Sequence, residues 1–162
     1  MVFAQTYTVD RYHTRVGFSA THFGISHVEG SFKMVDASLV SKRNDFTDAV
    51  ISFTAQVASI NTDVEFRDND LKSAAYFDAV KYPELSFKSI AFKRIQGNSY
   101  VLIGNIIIHG VSKQVVFSVI YNGTAITAIK QPTVGFTIGW HLEQTGFWCR
   151  ERSIDKWGKQ PD

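Results

Sequence analysis

Apolar residues recur at every second position in several short runs of this chain, and that period belongs to strands, not helices. In "RVGFSAT", Val16, Phe18 and Ala20 share a face. In "AVISFTAQV", Ile51, Phe53, Ala55 and Val57 alternate with Ser52, Thr54 and Gln56. In "QVVFSVIY", Val115, Phe117, Val119 and Tyr121 line one side. "ELSFKSIAF" sets Leu85, Phe87, Ser89 and Ala91 against Ser86 and Lys88, but Ile90 and Phe92 break the rhythm. "SYVLIGNIIIHG" is apolar at both phases, which predicts a strand covered on both faces. Turn signals at "HFGIS", "SKRND", "QGNS", "HGVSK" and "YNGT" separate the runs. Short strands at this spacing predict an all-β antiparallel barrel or sandwich.

One stretch departs from the pattern. In "FRDNDLKSAAYFDAVKYP", Asp68 or Asn69 is placed to cap a helix, and Leu71, Ala74, Ala75 and Asp78 follow at helical spacing. Pro83 disfavours helix at the residue before it. The expectation is one short helix near residues 68–78, lying over one end of the barrel.

The chain has 162 residues, which fits one domain over 1–162 and can bury a core without staples. Its net charge of +2 is scattered, with no basic stripe for nucleic acid. No apolar run is long enough to span a bilayer as a helix. The lone Cys149 allows no internal disulfide. "VFAQ" near the start has the look of a cleavage-site stub, so a processed, periplasmic or secreted protein is expected.

Catalytic patterns are weak. The five histidines, His13, His22, His27, His109 and His141, form no metal-binding spacing, and strand-end hydrogen bonding is the expected role. No serine sits in a nucleophile elbow, and no glycine-rich phosphate loop is present. The carboxylate pairs Asp63/Glu65 and Asp68/Asp70 read as solvated groups or caps. Arg67 has two readings: a bidentate contact to a ligand carboxylate or phosphate, or an Arg67–Asp68 or Arg67–Asp78 network that ties the helix to the barrel rim. The expectation is no enzyme, no metal and no cofactor. The alternative is an enzyme for a small apolar substrate, with His22 or His109 as base beside Asp68. A third reading is a stress-induced structural protein whose barrel is filled.

Three segments carry a family resemblance: "YTVDRYHTRVGFSATHFGISHVEGSF" (7–32), "INTDVEFRDNDLKSAAYFDAVKYPELSF" (60–87) and "GNIIIHGVSKQVVF" (104–117). From residue 7 to about 139 the chain resembles the YceI-like, lipocalin-like family of small bacterial proteins. That resemblance implies an antiparallel barrel of about eight strands with a central apolar pocket. It also implies a long isoprenoid ligand, such as a polyprenyl or quinone tail, bound without catalysis in the bacterial envelope. The thirteen phenylalanines suit such a wall. Phe18, Phe32, Phe53, Phe77, Phe87 and Phe117 are the inward candidates, and Phe66, Leu71 and Tyr76 the lid candidates, with Arg67 and Asp68 at the rim. Phe77 belongs to either set, and each residue has filled core as its alternative.

The tail leaves the family pattern. After "PTVGFTIG" the resemblance implies a closing strand of the type "GTLNRxDFGV", where this chain has "WHLEQTGFWCRERSIDKWGKQPD". Back-translated and read one base later, Gly139–Cys149 can spell that motif, with a glycine forced at Trp140 and at Trp148. The expectation is a shifted reading frame from about Trp140, so that Trp140, Trp148 and Cys149 pack poorly and an open sheet edge favours a homodimer. Sequencing the source DNA decides it: codons that do not spell the motif one base on would end the idea.

Overall fold

The computed structural model describes residues 4–127 and 130–140. Ten strands occur there: β1 (Gln5–Thr8), β2 (Val16–His22), β3 (Ser26–Phe32), β4 (Val35–Ser41), β5 (Val50–Gln56), β6 (Ile60–Asn61), β7 (Glu84–Gln96), β8 (Ser99–Ile108), β9 (Val111–Ile126) and β10 (Pro132–Gly139). A 3-10 turn spans Val57–Ser59, and one helix, α1, spans Glu65–Lys72. Seven strands in the order β1-β4-β5-β7-β8-β9-β10 form a nearly closed antiparallel barrel. The other three, in the order β2-β3-β6, form a small second sheet. Its apolar residues Val16 and Phe32 pack on Val35, Ala55 and Leu85 of the barrel. Trp148 and Cys149 of the tail lie outside the described residues.

The alternation read from the sequence becomes the inner face. Val115 and Val119 are buried, with Phe117 and Tyr121 packed beside them; Leu102, Phe87 and Ile106 complete the floor. The break at Ile90 and Phe92 is a β-bulge. Against β8, Ser89 pairs with Gly104 and Ala91 with Ile103, so Ile90 is an extra residue. It is left 60% exposed, and Phe92 rather than Ala91 turns into the core. One inserted residue inverts the faces of everything after it. The Ser89 hydroxyl accepts the Ile51 N–H at 2.8 Å beside the bulge.

The expectation that β8 is covered on both sides fails. Tyr100, Leu102, Gly104 and Ile106 are buried, but Ile107 on the opposite face is exposed, as is Val116 on the neighbouring strand. The second phase of apolar residues faces outward because no layer of the described chain lies over that side of the barrel.

Phe46 fills the seam between the first and last barrel strands. Its ring meets Tyr7 of β1 at 6.0 Å, Tyr121 of β9 at 5.6 Å and Phe136 of β10 at 5.5 Å. The loop that carries it is cross-braced. The Asp48 carboxylate accepts from the Ser41 hydroxyl at 2.6 Å and from the N–H groups of Lys42 and Arg43. The Tyr100 hydroxyl donates to the Asp45 carbonyl at 3.0 Å.

The Ser41 hydroxyl and those backbone N–H groups hold Asp48 below the ordinary carboxylate value of 3.8. Asp45 is lowered too, chiefly by the Thr47 N–H and hydroxyl. A depressed pKa in the fold means the bracing is intact above the unfolded value and is lost as pH falls through the folded one. The loop is therefore expected to loosen only below 3.8. Near-UV circular dichroism of the aromatic seam checks this: Asp48→Asn should shrink the acid step, and an unchanged step would assign it elsewhere.

Trp140, expected to pack poorly, does not. It follows β10 in phase with Phe136, and its ring meets Phe117 at 5.4 Å. The alternation of β10 carries it onto the inner face whatever the origin of the codons that follow.

Candidate ligand site

The inward candidates form two linked groups. Phe53 and Phe87 are cross-strand partners on β5 and β7. Phe87 meets Phe117 edge-on at 5.2 Å, and Trp140 extends the row. In the second group Phe18 meets Phe32 at 5.8 Å, and Phe32 meets Phe77 at 6.5 Å. Phe32 and Phe53 both pack on Val35, Ala55 and Leu85, which joins the groups. Gly30 makes room for Phe18, since a Cβ there would lie 2.3 Å from the ring's Cζ. Phe87 is buried as floor, whereas Phe18, Phe32, Phe53, Phe77 and Phe117 are only half-buried. These incompletely covered aromatic rings leave apolar surface exposed.

Sequence reasoning missed Phe46, Trp140 and the Phe92–Tyr100 stack at 4.8 Å. Only for Phe92 was there a signal, the broken alternation beside it.

The helix differs from expectation. It begins at Glu65, with Val64 as N-cap and no side-chain cap, and it ends at Lys72. Asp68 and Asn69 lie within it and are not caps. Ser73 ends it: its backbone is extended, and its N–H and hydroxyl both go to the Asp70 carbonyl. Residues 74–77 are turn, and Asp78 after them has a left-handed φ of +48°.

Nor is Asp68 a solvated carboxylate. It is 7% exposed, and its Oδ1 accepts the Thr62 N–H at 2.8 Å and the Thr62 hydroxyl at 2.6 Å. Arg67 pairs with neither Asp68 nor Asp78. Its Nε donates to the Thr62 hydroxyl at 2.7 Å and its terminal nitrogen to the Thr62 carbonyl at 2.8 Å. Thr62 is thus the shared node that ties α1 to the chain leaving β6, and both rim candidates bond to it. Of the lid candidates, Leu71 and Tyr76 are half-buried, while Phe66 in the first turn is 76% exposed.

A cleft of about 330 Å³ opens where β3 and β6 meet the loop before β2. Arg11, Arg15 and Lys33 line it together with Glu29 and Asp63. Arg11 is also paired with Asp36 at 2.6 Å. Its charges nearly balance, so it is a polar notch beside the apolar surface.

Among the described residues no His, Cys, Asp and Glu group could hold a metal. His22 packs on the Phe23 ring at 4.1 Å and His109 on the Tyr82 ring at 4.3 Å. No ion pair joins either imidazole to Asp68 among the described residues. No helix there is long and apolar enough to cross a membrane.

Comparison with known proteins bears on the family and the fold. A UPF0312 protein of Photorhabdus laumondii is 32% identical over 127 residues, which is 78% of this chain and 64% of that one. The chain thus spans less than two-thirds of that relative's length. The YCEI protein of Campylobacter jejuni, a solved structure, is 32% identical with a TM-score of 0.64, over 82% of this chain and 77% of that one. A polyisoprenoid binding domain from Saccharophagus degradans, implicated in plant cell wall breakdown, shares the fold alone: 11% identity and a TM-score of 0.50 over 72% and 74% of the two chains. Residues 7–151 match the YceI-like domain, and on these grounds the chain belongs to the YceI-like family.

Proposed function

We propose that the protein binds a long isoprenoid lipid, of polyprenyl or quinone type, on the half-covered aromatic surface that runs from the barrel to the small second sheet, and carries or stores it in the bacterial envelope without catalysis. The observation that carries this reading is the incomplete burial of Phe32, Phe53 and Phe117, which pack against the core, and of Phe18 and Phe77, whose rings meet Phe32. Each methylene a guest buries against them contributes about 0.8 kcal/mol, which offsets the entropy lost by a flexible chain. The fold shared with a polyisoprenoid binding domain supports the choice of ligand class. Phe87 supplies the floor, and Leu71 and Tyr76 flank the opening. Arg67 and Asp68 act by holding α1 in place rather than by touching the ligand.

Organic extraction of the purified protein, followed by mass spectrometry, tests the reading. A polyprenyl compound in stoichiometric yield is expected. Protein that yields none, and takes up none when incubated with polyprenol in detergent, would overturn it. Phe53→Trp and Phe117→Trp should each lower bound lipid by roughly threefold or more while the fold survives, because a larger ring fills open space with less strain than it would cause in a full core. Loss of folding in both variants would show that these rings are core.

A further inference from the structure

The tip of the β2–β3 hairpin is built against local preference. The strands pair out to His22 and Ser26, and the Ile25 N–H donates to the His22 carbonyl at 3.2 Å. Phe23 and Gly24 both have left-handed backbones, with φ of +52° and +70°. That turn geometry matches the strand twist and favours Asn, Asp or Gly at its first central position. Gly24 suits it. A bulky side chain at Phe23 is an outlier there. The strain secures little burial: Phe23 is 49% exposed, its ring meeting only that of His22 among the described residues, and Ile25 is 88% exposed. Strained backbone that the fold itself does not use points to function.

The hairpin behind the tip has an apolar side. Phe32, Gly30 and Val28 of β3 pair with Val16, Phe18 and Ala20 of β2. These pairs form one ribbon, roughly 20 Å long at strand rise, from the tip to Phe32 and its contact with Phe77. β2 packs mainly on β3, so the outer part of this ribbon is not merged with the barrel wall.

We propose that the hairpin tip docks the protein on a lipid bilayer. Phe23 and Ile25 enter the interfacial region, and the ribbon through Ala20, Val28 and Phe18 leads an apolar chain toward Phe32. The cargo rests on the isoprenoid reading above; the docking rests on the tip alone. A bilayer fits better than a protein partner because the tip is three residues wide. A stable protein interface needs on the order of 800 Å² from each partner, which such a tip cannot supply. Interfacial binding scales with the apolar area buried, so the two side chains of the tip give a transient, reversible contact with the bilayer rather than an anchor.

The test is sedimentation of the full chain with vesicles of phosphatidylethanolamine and phosphatidylglycerol, comparing wild type with the double variant Phe23→Asn, Ile25→Ser. Asparagine tolerates the left-handed backbone, so the variant should melt no lower than wild type and should retain isoprenoid loaded from detergent. Vesicle partitioning should fall about tenfold or more as two apolar side chains leave the interface. Equal partitioning of variant and wild type overturns the proposal, as does a wild type that carries isoprenoid but ignores vesicles. A wild type that binds vesicles through this tip yet yields no isoprenoid upholds the docking and overturns the cargo reading. Crosslinking of the tip to a protein, with no vesicle binding, would overturn the bilayer as occupant.

Discussion

Phe46→Ala is expected to destabilise the protein by about 3–5 kcal/mol, the range for deleting a buried phenylalanine. Phe46 is 3% exposed. Its ring contacts Tyr7, Tyr121 and Phe136, which belong to the two ends of the barrel sheet. Those ends share no ladder among the described residues, so the ring is what packs between them. Its removal leaves a cavity at the seam, and the seam relaxes toward an open edge. For a chain of this size the melting temperature should drop by about 2–4 °C per kcal/mol. A left-handed φ of +58° partly opposes the ring's contribution, so Phe46→Gly should lose slightly less than Phe46→Ala. Thermal melts of both variants check the order. A loss below about 1 kcal/mol, the scale of an ordinary surface change, would mean that the seam does not depend on this ring.

Asp68→Ala is expected to cost about 2–4 kcal/mol, because it strands the buried Thr62 N–H and hydroxyl without their shared acceptor. Asp68→Asn should cost less, since an amide oxygen can still accept both. Thr62→Val removes the hydroxyl that receives Arg67 Nε and donates to Asp68. Its effect combined with Asp68→Ala should therefore fall well short of the sum. Urea denaturation gives the energies, and limited proteolysis of residues 62–78 reports whether α1 has come loose. Additive losses, with α1 equally protected, would show that Thr62 is no node. Arg67→Ala should be milder, about 1 kcal/mol, as it removes one donor each from the Thr62 hydroxyl and carbonyl but leaves both Thr62 hydrogen bonds to Asp68 in place.

The strands and their faces were legible in the sequence because side-chain alternation follows from the extended backbone itself. Val115, Phe117, Val119 and Tyr121 could face only one way, and the slip at Ile90 already marked the bulge. The inner-face phase of Phe53, Phe87 and Phe117 was legible for the same reason, whereas nothing local placed Phe18 on a second sheet outside the barrel. What a side chain meets after the sheet curls is not a local property. Phe46 sits in a polar turn, and nothing near it in the chain shows that β1 and β10 will arrive on either side of its ring. Asp68 follows an arginine on a polar helix, and its burial depends on Thr62 coming back from β6 to use both its polar groups there. The helix ended early because Ser73 could bind the Asp70 carbonyl with its own hydroxyl, a competition that residue spacing does not reveal. Strand direction is decided over a few residues by backbone geometry. Closure, burial and the joining of Phe32 to Phe77 were decided by contacts between segments far apart in the chain, and these exist only once the barrel has formed.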